Sequence, residues 1–294
     1  MLNNTKNCRD ILHCQNKHEL LFNKNGYDIL ACSKCGIGYV NVPDFESEVK
    51  SVFNDDYFFG GKDGYPDYLR EKKLLIESGK QYGRILSKYA KPGRLLDVGA
   101  AAGFILNGYK ETGWNGIGIE PNDTMASFAR NTMGMDVKTD TLDSFQTEEI
   151  FDAVSIIQVI SCIPDIDPSL RKVNQLLKPG GYVIVESWRR NSLAAKMFGK
   201  YWHEYCPPKV INWFTSSALD ALFISHGFQP VASGKPVKKI NITHGLTLAH
   251  QSLPKIPLKT PITKALIRLF GKYNIRYPAL DLKWYLYQKI KEDI

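Results

Sequence analysis

The chain has 294 residues, 44% of them apolar and 23% charged, and a formal net charge of +8. That length supports one or two domains with a full hydrophobic core, and the composition excludes wholesale disorder and collagen-like structure. No apolar run approaches the roughly 18 residues of a membrane span. The first eight residues, Met1 to Cys8, lack the apolar centre of an export signal, so a reducing cytoplasm is the expected setting for the six cysteines.

Four segments follow one another. Residues 1–42 carry four of the six cysteines. Residues 43–90 are polar and aromatic, then turn helical: Leu69, Leu74, Leu75, Tyr82, Ile85 and Leu86 recur at helical spacing up to the breaker Lys91-Pro92-Gly93. Residues 91–252 alternate strand and helix. The predicted strands are Arg94–Val98, Gly116–Glu120, Met135–Lys138, Ala153–Val159 and Tyr182–Glu186, with a further one entered at Val231. Helices are predicted from near Ala102, after Pro121-Asn122-Asp123, over Ser169–Leu177 up to Lys178-Pro179-Gly180-Gly181, and over Ser216–His226. Ile240–Ala249 alternates with period two and reads as a late antiparallel strand. Buried apolar strands alternating with helices predict an α/β, doubly wound parallel sheet. Residues 253–294 read as a basic amphipathic helical tail, in Pro261–Lys272 and Leu280–Ile290; from Lys235 onward 12 Lys and Arg oppose 3 Asp and Glu.

The chemistry centres on Leu95-Leu96-Asp97-Val98-Gly99-Ala100-Ala101-Ala102-Gly103-Phe104, a strand, a small-residue turn and a helix start. Such a turn brings backbone N–H groups close to a ligand. A dinucleotide fingerprint needs a third glycine where Phe104 stands, which disfavours a nicotinamide-dependent oxidoreductase. Gly99, Ala101 and Gly103 suit close backbone approach to a nucleoside that needs no pyrophosphate cradle. At the tip of the next strand, 21 residues beyond Gly99, Glu120 is placed to accept hydrogen bonds from both hydroxyls of a ribose. Its alternative role is a charge favoured at a helix N-terminus.

With these blocks the chain resembles class I S-adenosylmethionine-dependent methyltransferases, in particular a bacterial group with an N-terminal zinc-ribbon-like segment. The resemblance runs over about residues 8–232. Further blocks that carry it are Cys32-Ser33-Lys34-Cys35-Gly36, Asp56-Tyr57-Phe58-Phe59-Gly60-Gly61, Gly64-Tyr65-Pro66-Asp67-Tyr68, Gly118-Ile119-Glu120-Pro121, Leu177-Lys178-Pro179-Gly180-Gly181 and Gly199-Lys200-Tyr201-Trp202-His203. It implies a seven-stranded Rossmann-like sheet, with residues 43–90 as linker and cofactor lid and residues 188–213 as an insertion roofing the substrate. The implied cofactor is S-adenosylmethionine. Asp97 and the Gly99–Gly103 backbone would hold its methionine part and Glu120 its ribose. Leu142, between Thr141 and Asp143, would edge the adenine, Gln158 would line the floor, and Tyr57 and Tyr65 would close over it. Members act in surface-glycan and secondary-metabolite pathways, so the expected acceptor is a sugar, a glycan or a small hydroxylated metabolite, with O-methylation ahead of N- or C-methylation.

His203 in the roof is the candidate base for a hydroxyl acceptor, with Glu204 the weaker choice and simple packing against Trp202 and Tyr205 the alternative. Two departures from the family pattern remove proton-accepting groups: Gln158-Val159-Ile160-Ser161-Cys162 replaces a run with two glutamates and a histidine, and Val210-Ile211 replaces a His-Leu pair. They leave open a catalytically silent member.

Cys32-x2-Cys35-Gly36 has the knuckle form that suits tetrahedral thiolate coordination of zinc. The set Cys8, Cys14, Cys32 and Cys35 is the candidate structural site, although Cys8 and Cys14 are irregularly spaced and His13 or His18 could stand in for Cys8. Nothing resembles a recognition helix or RNA-binding motif, so nucleic acid is not an expected partner. The basic tail allows peripheral contact with an anionic membrane, or packing within a monomer or dimer.

Overall fold

In a computed structural model of the chain, the described residues are 14, 18–40, 42, 53–59, 67–237, 239–241, 269, 274–276 and 279–290. Cys8, Tyr65, nearly all of Pro261–Lys272 and most of Ile240–Ala249 lie outside them.

Consecutive apolar residues make the centre of the molecule. In β4 (Arg94–Val98), Leu95, Leu96 and Val98 are buried, as a parallel strand covered on both faces requires. It lies between β5 (Asn115–Glu120) and β7 (Phe151–Ile157), with β6 (Val137–Thr139) beyond β5 and β8 (Leu177–Trp188) beyond β7, all parallel. Two antiparallel strands complete a seven-stranded sheet in the order β10-β13-β8-β7-β4-β5-β6. They are β10 (Phe228–Gly234) and β13 (Leu282–Lys289).

That last strand corrects the predicted helical tail. Leu282–Lys289 is inserted between β8 and β10, with Leu282 opposite Trp188 and Gln288 opposite Tyr182. Leu282, Tyr285, Leu286 and Tyr287 are all buried. A strand flanked on both edges and covered on both faces loses period-two alternation, so its apolar residues mimic a helical stripe. Side-chain contacts fix it: the Tyr287 ring stacks on Phe223 at 4.1 Å, and its hydroxyl donates to Asp220 Oδ1 at 2.8 Å. The described part of Ile240–Ala249 belongs to β11 (Lys239–Asn241), paired antiparallel with β12 (Asn274–Arg276) apart from the main sheet.

Helices cover the sheet. α1 (Asp55–Phe58) is a single turn; α2 (Lys72–Leu86) precedes β4 and α3 (Phe104–Lys110) follows it. Gly79 and Gly108 let α2 and α3 cross at backbone contact: a Cβ on Gly79 would stand 2.2 Å from the Ile105 carbonyl oxygen. This close crossing brings Tyr82 down to the sheet, where it is buried. α4 (Asp123–Asn131) is capped by the Asn122 side chain on the Met125 N–H. α5 (Ile166–Leu176) leads into β8.

At one end stands a second sheet, β1 (His18–Lys24), β2 (Tyr27–Cys32), β3 (Gly38–Val40) and β9 (Asn212–Trp213). Asn25 and Gly26, both at positive φ, make the β1–β2 hairpin turn. β9 belongs to the insertion after β8, which also holds α6 (Leu193–Phe198), and pairs with β3 through Gly38–Trp213 and Tyr39–Asn212. Ile29, Val40 and Val42 share one core with Trp202, Tyr205, Ile211 and Trp213. The small sheet therefore braces the insertion after β8. α7 (Ser216–Ile224) then returns the chain to β10.

Candidate active site

The turn after β4 is built from left-handed residues. Gly99, Ala101 and Gly103 have φ of +73, +46 and +73°, and the N–H groups of Gly99 and Ala100 both donate to the Ile119 carbonyl. Glycine is required at position 99, where a Cβ would stand 2.5 Å from Val159 Cγ2. The turn ties itself to the β5 tip through the Ala101 N–H, which donates to Glu120 Oε2 at 2.9 Å. The Asn122 N–H donates to Glu120 Oε1 at 2.8 Å.

Asp97 and Glu120 occupy one face of the sheet, since Asp97 pairs in register with Gly118, two residues before Glu120. Both are buried. Burial pushes the Glu120 carboxyl up to about 7, against the pull of its two backbone donors. Burial also pushes Asp97 up to about 7; the Ser155 hydroxyl opposes this and the Glu120 charge adds to it. Tyr109 donates to the Ser155 hydroxyl at 3.0 Å, which extends the polar row beneath the turn.

Around this pair the remaining candidates fall in different places. Tyr57 lies on α1, which is docked on the β5 tip: Asn122 Nδ2 donates to the Phe53 carbonyl and to Asp55 Oδ1, and Thr124 to Asp55 Oδ2. Phe58 packs with Ala101, Ala102 and Phe104. Lys209, from the insertion after β8, sits 5.3 Å from the Tyr57 ring centre, so that insertion and α1 meet there. Leu142 is buried in the main core just after β6, where the Asp140 N–H donates to the Glu120 carbonyl. Gln158 follows β7 at φ +61°. His203 is nearly buried in the insertion after β8, its ring edge-on to Trp188 at 4.8 Å and its Nε2 3.5 Å from Glu204 Oε1.

Sequence reasoning missed Glu186 and Tyr82. Glu186, fully buried on β8, accepts from Gln158 Nε2 at 2.7 Å and from the Tyr82 hydroxyl. The signal was a lone acid inside the apolar run Val183-Ile184-Val185-Glu186.

Beside the small sheet the sulfurs of Cys14, Cys32 and Cys35 lie within 4.8 Å of one another. The Gly36 N–H donates to the Cys32 carbonyl, closing the knuckle. Tetrahedral zinc holds thiolates at about 2.3 Å, which spaces the sulfurs by about 3.8 Å, so the three residues fit such an ion. Burial and the two facing thiols push the Cys14 thiol up to about 11, the crowding a divalent cation would relieve. His18 pairs with Cys32 across the β1–β2 ladder and stands outside the cluster.

Comparison with known proteins agrees with this architecture. A family model described as a methyltransferase domain matches residues 72–233, more than half of the chain. A ubiquinone biosynthesis O-methyltransferase of Bradyrhizobium sp. (strain ORS 278) is 27% identical over 128 residues, 41% of this chain and 51% of that protein. The chain spans about half the length of the curated relatives it matches. Among solved structures, a Thermotoga maritima S-adenosylmethionine-dependent methyltransferase, described as a possible histamine N-methyltransferase, superposes with a TM-score of 0.50 at 20% identity, covering 74% of this chain and 90% of that one. The Burkholderia thailandensis 1,6-didemethyltoxoflavin N1-methyltransferase, solved with S-adenosylhomocysteine, superposes with a TM-score of 0.53 at 14% identity, covering 94% of this chain and all of that one. By the match over residues 72–233, around the carboxylate-lined turn between β4 and β5, the chain belongs to the methyltransferase-domain family.

Proposed function

We propose that the protein is an S-adenosylmethionine-dependent methyltransferase that methylates a hydroxyl of a sugar, a glycan or a small hydroxylated metabolite. The observation that carries the reading is Glu120, a buried carboxylate at the β5 tip. Each of its oxygens takes one backbone N–H and keeps a lone pair for a second donor, as two ribose hydroxyls would supply. S-adenosylmethionine supplies an electrophilic methyl group on a sulfonium. Asp97 and the turn would hold the amino-acid part, Gln158 the floor, and Leu142 the adenine edge. Tyr57, with Tyr65 from outside the described residues, would exclude water. The O-methyltransferase relatives support oxygen as the acceptor atom; the sugar or metabolite class rests on the family resemblance. His203 would take the hydroxyl proton, with Glu204 beside it to stabilise the charged ring.

Calorimetric titration with S-adenosylmethionine and S-adenosylhomocysteine tests the cofactor; binding of neither overturns the reading. A methyl-transfer screen over sugar, catechol and amine acceptors tests the atom, and turnover confined to amines would replace O- by N-methylation. His203→Ala is expected to lower turnover at least about 100-fold while cofactor affinity holds.

The ribbon site is proposed as structural zinc on Cys14, Cys32 and Cys35, with Cys8 as fourth ligand. Elemental analysis of protein purified without chelator is expected to find one zinc per chain, and Cys32→Ser to abolish it; metal-free wild-type protein of full stability would refute the site.

A further inference from the structure

Gln158 stands in a backbone conformation that L side chains rarely adopt, and one residue holds it there. Its N–H donates to the Glu186 carbonyl at 2.9 Å and its Nε2 to Glu186 Oε1 at 2.7 Å. The other carboxylate oxygen of Glu186 accepts from Tyr82. The Gln158 amide nitrogen faces Glu186, and among the described residues no donor reaches its side-chain oxygen, on a half-buried residue at the carboxyl edge of the sheet. The adjacent Val159 touches the glycine turn at Gly99.

Asp97, Ser155, Glu120 and Glu186 share one face of the sheet, and the Tyr109 hydroxyl lies within electrostatic reach of both Asp97 and Glu186. Among the described residues no Lys, Arg or His pairs with any of the three acids; every donor to them is an N–H, a hydroxyl or an amide. Buried acids without a cation suit a ligand that brings its own positive charge. S-adenosylmethionine and S-adenosylhomocysteine differ by one methyl group and one positive charge, so a side chain that tells them apart acts on that methyl group or on that charge.

Building on the reading above, we propose that Glu186 is a positioning residue that makes the cleft prefer the sulfonium cofactor over its neutral thioether product. It acts by aiming the Gln158 side-chain oxygen into the cleft and by placing buried negative charge behind it. The thioether, sharing every other group, gains nothing from either and leaves more readily.

The test is calorimetry of the full chain with S-adenosylmethionine and S-adenosylhomocysteine in parallel. Glu186→Gln is expected to weaken the sulfonium form about tenfold and the thioether less than about twofold. Gln158→Gly suits the positive φ without strain, so the fold is kept, and is expected to abolish the same preference. Tyr82→Phe leaves the carboxylate in place and is expected to preserve the preference. Equal weakening of both ligands in Glu186→Gln and Gln158→Gly, or no change in either, overturns the proposal. Binding of neither ligand by the wild-type chain overturns the methyltransferase reading itself.

Discussion

Asp167 and Glu120 are both buried acids, and the protein treats them in opposite ways. Asp167, in the first turn of α5, is met by a guanidinium and an imidazole: its Oδ1 lies 3.0 Å from Arg171 Nη2 and 3.2 Å from His226 Nε2. The helix N-terminus favours the same charge. Among the described residues, Glu120 receives two backbone N–H groups, and no Lys, Arg or His reaches it or Asp97. A charge paired with side chains of the fold is architecture. One left with neutral donors suits a ligand that brings positive charge.

The strongest way to break this contrast is Glu120→Ala, expected to lower S-adenosylmethionine affinity by about 100-fold or more, because two charge-assisted hydrogen bonds are lost. Retained affinity in calorimetry would put Glu120 on the same footing as Asp167. The complementary change, Asp167→Asn, is expected to cost about 1–2 kcal/mol of stability in denaturant unfolding, since Arg171 is largely exposed and screened. Cofactor affinity should not move; a weaker cofactor would mean that the two regions are coupled.

The smallest effect is in pH. Asp97 and Glu120 both titrate near 7 in the fold, above their ordinary values. For a raised carboxyl the stabilising contribution is complete below its unfolded value and is lost as pH rises through about 7. A cationic ligand favours the ionised forms and pulls protons off. S-adenosylmethionine should therefore bind more tightly at pH 8 than at pH 6, by up to about tenfold, with protons released to buffer. Proton uptake, measured by calorimetry in buffers of different ionisation enthalpy, would reverse the assignment.

The site was legible where its signals are local. Asp97, the Gly99–Gly103 turn and the Glu120 tip lie within a short stretch in which strand, tight turn and helix cap are written in consecutive residues. Glu186 was not legible as a partner of Gln158, because that hydrogen bond spans 28 residues, and the bond from Tyr82 to Glu186 spans 104. The Asn25-Gly26 turn of the β1–β2 hairpin is likewise a local signal. Pairing of its neighbour β3 with β9 depended on residues of the distant roof insertion.

What the sequence determined by itself is the parallel half of the sheet and the acid-lined turn it carries, since buried apolar runs, glycine turns and helix caps act over a few residues. Only the tertiary structure decided that Leu282–Lys289 is a strand. Its place exists once β8 and β10 leave a gap, and burial on both faces erases the alternation that would have announced it. The same holds for the face shared by Glu120, Asp97 and Glu186: each acid is fixed by its own strand, but their union comes from the order in which the strands pair.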